Sequence, residues 1–138
     1  MYKKILTAYD GSESAMAAFN QALDLTQKYQ GELHVLSVVR PPDIAEEVET
    51  EAIMENSMTH YQEIQEPLKT LAKDQGVSAR FVVAIGHPAV KIITYAEENG
   101  IDLIVMGHRG KTFFERWLIG SVAKKVMSYA PCSVLVVR

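Results

Sequence analysis

Two glycine-containing turns carry the residue types that could do chemistry in this chain. One is Asp10-Gly11-Ser12. The other is Gly107-His108-Arg109-Gly110, which is followed after nine residues by Gly120-Ser121. An apolar run (residues 103–106) precedes this second turn, and a segment with a helical pattern (122–127) follows Gly120-Ser121. Glycines let backbone N–H groups approach an anion without a Cβ in the way, and the first turn of a helix has unpaired N–H donors. The spacing therefore predicts a phosphate-binding loop between a buried strand and a helix.

The tripeptide Gly110-Lys111-Thr112 imitates the end of a P-loop, but the rest of that motif is missing. A P-loop has a glycine five residues before Gly110, and position 105 is Val. Its helix also begins at the Lys-Thr pair, whereas here a hydrophobic segment comes before the predicted helix. The GxGxxG pattern of dinucleotide-binding proteins is absent as well, because the turn after the first predicted strand has only one glycine, Gly11. The sequence thus argues against a P-loop NTPase and against a dehydrogenase.

Five strands and four helices are predicted around these turns. The strands are expected at residues 4–9, 33–39, 79–85, 102–106 and 133–137. The first helix is expected to end at Gly31 and the second at Gly76. The apolar face of the second helix consists of Met54, Met58, Tyr61, Ile64, Leu68 and Leu71. The third helix is expected to run from Pro88 to Gly100, and the fourth to span 121–129 before Pro131. In the second helix Pro67 is expected to cause a kink near Glu63. The Met and aromatic residues between Met54 and Tyr61 are expected to be core.

This alternation is typical of an α/β fold with one parallel sheet that is covered by helices on both faces. Right-handed crossovers favour a single Rossmann-like domain over residues 1–138, with five parallel strands in the order 3-2-1-4-5. Strands one and four are then neighbours at the switch point, where ligands bind beyond the carboxyl ends of the strands. The turn Asp10-Gly11-Ser12 and the loop at residues 107–110 follow these two strands. We therefore expect them to converge on one crevice.

Composition and charge exclude several classes of function. A net charge of −3 argues against non-specific nucleic-acid binding, and no apolar run is long enough to span a membrane. The chain enters its first strand directly, without the pattern of a signal peptide. A single cysteine, Cys132, excludes an internal disulfide, and the four scattered histidines predict no metal site. A cytoplasmic location is expected. From Gly107 to Arg138 the sequence has one acidic residue, Glu115, and six basic residues. This excess of positive charge favours the attraction of an anion to the loop.

The spacing G-x-x-G, nine residues, G-[S/T] resembles the ATP-binding loop of the universal stress protein family. The resemblance covers essentially the whole chain and includes residues 5–12, 33–36, 86–89, 102–110 and 131–137. It implies a universal stress protein domain over residues 1–138, and the chain keeps all the glycines of the ATP-binding members. One departure is that strand one reads Thr7-Ala8-Tyr9-Asp10 where the family usually has Val-Pro-Val-Asp. Ala8 loosens one wall of the adenine pocket, and Tyr9 adds bulk.

The resemblance also implies a role for each site residue. Asp10 would meet the nucleoside, Val38 would contact adenine partly through its backbone, and the two glycine segments would hold ribose and phosphates. The full set of implied nucleotide-binding residues is Ala8, Asp10, Val38, Met106, Gly107, His108, Arg109, Gly110, Gly120, Ser121 and Val122. The cofactor would be ATP, alone or together with Mg²⁺ or Mn²⁺.

Purely structural roles for several of these residues stay open. Asp10 is also of the type that caps a turn or a helix, and Ser121 could be a helix N-cap. Gly120 could serve tight packing alone, and Arg109 and Lys111 could simply face solvent.

Residues for fast phosphoryl transfer are not evident, since the acids near the loop are Asp10 and Glu115 and no carboxylate pair stands out. We expect no catalytic residues, and an ATP-binding sensor or regulator of the stress response with at most slow hydrolysis. The alternatives are a slow ATPase or adenylate-transferring enzyme, and a regulatory subunit of a membrane transporter. The last strand, Ser133–Val137, is a poorly protected sheet edge. The resemblance implies a homodimer through this strand.

Overall fold

The computed structural model describes residues 1–41, 47–109 and 119–138, with the backbone alone for residues 47–50. Strands and helices alternate along the described chain. In order they are β1 (Lys4–Ala8), α1 (Glu13–Tyr29), β2 (Glu32–Val39), α2 (Glu47–Asp74), β3 (Ser78–Ile85), α3 (Pro88–Glu98), β4 (Leu103–Gly107), α4 (Ser121–Tyr129) and β5 (Ser133–Val137). The predicted five strands and four helices are confirmed, and no strand boundary differs from its prediction by more than one residue.

The strands form one parallel sheet in the order β3-β2-β1-β4-β5, as predicted. β1 lies in the middle, and its Thr7 is in register with Val35 of β2 on one side and with Val105 of β4 on the other. The connection that leaves β1 goes to β2, and the connection that leaves β4 goes to β5, on opposite sides of this central pair. The switch point therefore lies between β1 and β4, where the sequence places it.

The sheet separates two hydrophobic cores. On one face Leu33 and Val35 of β2 pack with residues of α1 and α2, among them the fully buried Phe19. On the other face Leu36 of β2 packs with Ile92 of α3 and with residues of α4. Successive side chains of a strand point to opposite faces, so both faces of a central strand must be apolar here. This explains why the strands read as continuous apolar runs rather than alternating ones.

The end of α1 differs from its prediction, and a proline lies inside α2. α1 ends before Gly31, but the left-handed residue at its end is Gln30, with φ of 52°. Gly31 has a separate reason to be glycine, because a Cβ there would lie 2.7 Å from the carbonyl oxygen of Lys3. α2 begins at Glu47 and continues through Pro67 to Asp74 as a single helix. Pro67 has no N–H to donate to the carbonyl of Glu63, but packing of the following residues on the sheet stabilises the continuation of the helix.

A chain of buried polar groups joins α2 to the carboxyl ends of the strands. Gln65 of α2 is 2% exposed, and its Nε2 donates to Ser37 Oγ at 2.9 Å and to the Val82 carbonyl at 3.2 Å. The Ser37 hydroxyl in turn donates to the carbonyl of Tyr9 at 2.6 Å. Because buried polar groups are costly unless they are paired, this chain defines the rotation of α2 over the sheet. It also secures the end of β1, immediately before Asp10.

We expect Gln65→Leu to lower the free energy of unfolding by about 1–3 kcal/mol, because it leaves buried acceptors at Ser37 and Val82 without their donor. Urea unfolding followed by circular dichroism measures the change. Gln27→Leu is the matched control, since the side chain of Gln27 is exposed and its contact with the Gln75 carbonyl is long, at 3.4 Å. The control should stay within about 0.5 kcal/mol of the wild type. Equal losses for the two variants would contradict a special role for Gln65.

Candidate functional site

A cavity of about 620 Å³ lies at the carboxyl ends of β1, β2 and β4, beside the start of α4. Its volume is in the range of small-molecule sites in proteins. Most of the residues that the sequence assigns to the nucleotide line it together, namely Ala8, Asp10, Val38, Met106, Gly107, Arg109, Gly120, Ser121 and Val122. The two glycine turns therefore converge on one crevice, as predicted, because the strands before them are neighbours at the switch point.

The cavity has walls of different chemistry. One wall is aliphatic and belongs to the core on the α3–α4 face, with Leu36, Val38, Ile92 and Met106 as its main members. The other carries Tyr9 and Asp10 from the end of β1 and Tyr61 from α2. A flat, largely apolar group with polar edges fits between walls of this kind.

Asp10 is a turn cap that also lines the cavity. Its Oδ1 accepts a hydrogen bond from the Ser12 N–H at 2.9 Å, and the Ser12 hydroxyl accepts from the Ala15 N–H at 3.1 Å to cap α1. The structural role expected for Asp10 is therefore real. It leaves room for a second role, because a carboxylate has about four acceptor positions. Burial, and then the negative charge of Asp10, raise the pKa values of Tyr9 and Tyr61 above the usual value for tyrosine.

At the start of α4 the helix places backbone donors beside the cavity. The N-cap is Gly120, with φ of −62° and no side-chain hydrogen bond as a cap, and Ser121 is the first helical residue. The expectation that Ser121 could be the N-cap is therefore wrong by one position. The N–H of Gly120 donates to the carbonyl of His108 at 2.6 Å, which ties the helix start to the residue after β4. A helix start without a side-chain cap has the N–H groups and the partial positive charge that suit an anion.

His108 differs from the other predicted site residues. It is only 6% exposed and is not among the residues that line the cavity. Its Nδ1 lies 3.2 Å from the Val137 carbonyl and 3.5 Å from Ser14 Oγ, and its backbone N–H donates to the same Val137 carbonyl at 3.0 Å. Its ring thus joins β5 to the start of α1 behind the cavity wall. The sequence pattern could not reveal this, because the turn after β4 decides to which side the ring points.

Gly107 has a packing reason to be glycine. A Cβ at this position would overlap Ser14 Oγ and would lie 2.8 Å from the backbone carbonyl atoms of Ser14. The end of β4 can approach α1 this closely only without a side chain. Gly110, which belongs to the same motif, lies outside the described residues, as do Lys111 and Glu115.

Several lining residues were not predicted as site residues. Arg40 directly follows β2, and Pro88 and Ile92 come from the first turns of α3. Tyr61 was expected to be core, together with Met54 and Met58. Instead all three side chains are only partly buried, and the methionines border a second, more open groove with Glu51, Glu55 and Ile85. Helical spacing showed that these residues share a face, but it could not show how far that face extends beyond the sheet.

Two other features are absent from the described part of the chain. No group of three or more His, Cys, Asp or Glu side chains is placed to hold a metal ion. No helix there is long and apolar enough to cross a membrane.

Comparison with known proteins agrees with the fold and with the motif. A model of the universal stress protein family matches residues 1–138. Universal stress protein MJ0531 of Methanocaldococcus jannaschii is 36% identical over 141 residues, which cover 100% of this chain and 83% of the relative. Universal stress protein UspA from Lactobacillus plantarum superposes with a TM-score of 0.93 at 27% identity, over 99% of this chain and 98% of the other. A universal stress protein in complex with cAMP shares the fold, with a TM-score of 0.77 at 21% identity over 99% and 97% of the two chains. By its sequence from end to end and by the order of its strands, the chain belongs to the universal stress protein family.

Proposed function

We propose that this protein binds ATP in the cavity at the switch point and acts as a nucleotide-dependent regulator in the stress response. The observation that carries the proposal is the meeting of three features in one cavity. These are the start of α4 without a side-chain cap, the Asp10 turn, and the aliphatic wall of Ala8 and Val38. They suit the phosphates, the ribose and the base of a nucleotide, in that order along the cavity.

The phosphate end belongs to α4. Gly120, Ser121 and Val122 line the cavity at the first turn of the helix, where the backbone N–H groups point along the helix axis toward an anion. The Ser121 side chain is exposed and can add a hydroxyl donor. Arg109 lines the same end and adds positive charge. Backbone and hydroxyl donors together with one guanidinium hold a polyphosphate without the lysine of a P-loop.

The nucleoside end belongs to β1 and β2. Asp10 accepts a hydrogen bond from Ser12 and still has acceptor positions for a ribose hydroxyl. Ala8 and Val38 give the base a flat, apolar surface at the ends of two neighbouring strands. The cAMP complex of a distant relative is in keeping with a nucleotide on this fold. At that identity it speaks for the fold alone, so the support for a nucleotide comes from the cavity and from the family motif.

A binding role fits the cavity better than fast catalysis does. Among the described residues that line it, Asp10 is the only acid. Phosphoryl transfer needs a group to hold a metal ion and a group to place the attacking oxygen near the phosphates. Asp10 lies at the end of β1, whereas the phosphate end is at α4. A Mg²⁺ or Mn²⁺ ion would therefore be held mainly by the phosphates and by the several waters that magnesium usually keeps.

ATP should bind to the purified wild-type protein in isothermal titration calorimetry, and Ser121→Ala should weaken that binding by roughly 10-fold or more. The reason is the loss of one hydrogen bond to a charged group, and such bonds are worth about 1.5–3 kcal/mol. Ser128→Ala is a matched control on the same helix, because its hydroxyl donates to the Lys124 carbonyl and is exposed. A wild-type protein that binds no ATP would contradict the proposed function.

Gly120→Val tests the same end of the cavity by filling space instead of removing a donor. The φ of −62° at Gly120 is accessible to any residue, so the backbone itself is not strained by the change. We expect the fold to persist in circular dichroism and ATP binding to be lost in calorimetry. A folded variant with wild-type affinity would exclude Gly120 from the phosphate site.

Homodimerisation through β5 is a further part of the proposal. β5 lies at one edge of the sheet, where one row of its backbone N–H and C=O groups has no strand beside it in the described chain. Pairing with a second copy would satisfy these groups. We expect light scattering after size-exclusion chromatography to give twice the chain mass of 15.4 kDa. A mass equal to one chain would contradict the dimer.

A further inference from the structure

Two tyrosines line the cavity, one directly after β1 and one on α2, and the structure holds them differently. Tyr9 directly follows β1. Its N–H donates to the Leu36 carbonyl at 2.9 Å, its carbonyl accepts from Ser37, and its ring packs against the core under α1 and α2. Tyr61 is half-buried and lines the cavity, and its ring meets the ring of His60 edge to face with 5.4 Å between the centroids. Tyr61 therefore presents part of its ring to the cavity.

The position of Tyr61 is set by the buried polar chain. Gln65 lies four residues later on α2, so the two residues share one face of the helix, one above the other. Gln65 is bonded to Ser37 on β2 and to the Val82 carbonyl on β3. These bonds define the rotation of α2. One turn further toward the start of the helix, the same face passes beyond the carboxyl ends of the strands, and Tyr61 reaches the cavity there.

The wall opposite Tyr61 is aliphatic. Ala8 and Val38 are half-buried and pack on the core of the α3–α4 face, whereas α2 packs on the other face of the sheet. The phosphate end at α4 lies beside β4, and β2 lies two strands away, at about 10 Å. A nucleotide with its phosphates at α4 thus extends its base toward the space between Tyr61 and this aliphatic wall.

We propose that the Tyr61 ring is the stacking face for the nucleobase, which it holds against the aliphatic wall of Ala8 and Val38. This inference rests on the proposed function and names a residue of that site that the family motif does not contain. Burial and the charge of Asp10 raise the pKa of Tyr61, so its hydroxyl stays protonated and the ring stays neutral near pH 7. Stacking on a neutral aromatic ring tolerates different bases because every base has a π-face. Tyr61 therefore adds affinity for nucleobases in general and none for phosphate groups alone.

The test compares Tyr61→Leu and Tyr61→Phe by calorimetry with two probes, ATP and inorganic tripolyphosphate, the latter measured by its displacement of ATP. Tyr61→Leu should weaken ATP binding about 5- to 150-fold, which is the usual effect of losing one base–aromatic stack. It should leave the affinity for tripolyphosphate unchanged. Tyr61→Phe keeps the ring and should stay within about twofold of the wild type for both probes.

Tyr29→Leu is the matched control, because Tyr29 is also half-buried on a helix and its ring contacts Tyr2 at the other end of the sheet. It should not change ATP affinity. If Tyr61→Leu fails to fold, as judged by circular dichroism, Tyr61→Trp replaces it. A larger ring at that position should bind ATP as tightly as the wild type or more tightly, and clearly weaker binding would overturn the inference.

The possible failures are distinguishable. A wild-type protein without ATP binding overturns the proposed function, and the inference with it. Unchanged ATP affinity in Tyr61→Leu overturns the stacking role and leaves the proposed function standing. Equal losses in the Leu and Phe variants would show that the hydroxyl acts instead of the ring, and equal losses for ATP and tripolyphosphate would show that Tyr61 does not act on the base. Either of these results also overturns the inference.

Discussion

The divergence of the chain at β1 and β4 is the constraint on which the candidate site depends. These strands are neighbours, but the helix that follows β1 packs on one face of the sheet, and the helix that follows β4 packs on the other. No crossover helix can cover the carboxyl ends of both strands, so a crevice is left between the two helix starts. α1 begins there with Ser12 as its cap, and α4 begins there without a side-chain cap. The difference between these two starts makes the α4 side the natural place for an anion.

Buried polar contacts turn this crevice into a cavity with defined walls. Gln65, Ser37 and the carbonyl of Tyr9 form one connected chain from α2 through β2 to the end of β1. On the other side His108 connects the turn after β4 with β5 and with α1. Each connection is satisfied inside the protein, which is the condition under which buried polar groups add order instead of cost. The lining residues are thereby held by three side chains that do not line the cavity themselves, those of Gln65, Ser37 and His108.

The glycines of the motif have different roles. Gly107 lets β4 approach the backbone of Ser14, so it would be needed even in a protein without a ligand. Gly120 is in an ordinary conformation that any residue could adopt, and it borders the cavity. A glycine motif that looks uniform in the sequence therefore contains positions with packing roles and positions that suit a ligand.

The sequence by itself determined the strands, the helices, the sheet order and the residues that gather at the switch point. Continuous apolar runs, glycine stops and the prolines at the start of α3 and after α4 are local signals, and right-handed crossovers leave few arrangements for them. The placement of a side chain that depends on how one element is rotated against another was decided by the tertiary structure alone. Helical spacing placed Tyr61 with Met54 and Met58 on one face, but only the bonds of Gln65 to β2 and β3 show that this face leaves the core and reaches the cavity at Tyr61. Likewise, the motif placed His108 in the loop, and only the approach of β5 and α1 shows that its ring is buried behind the wall. Such contacts join residues distant in the chain, and no local pattern records them.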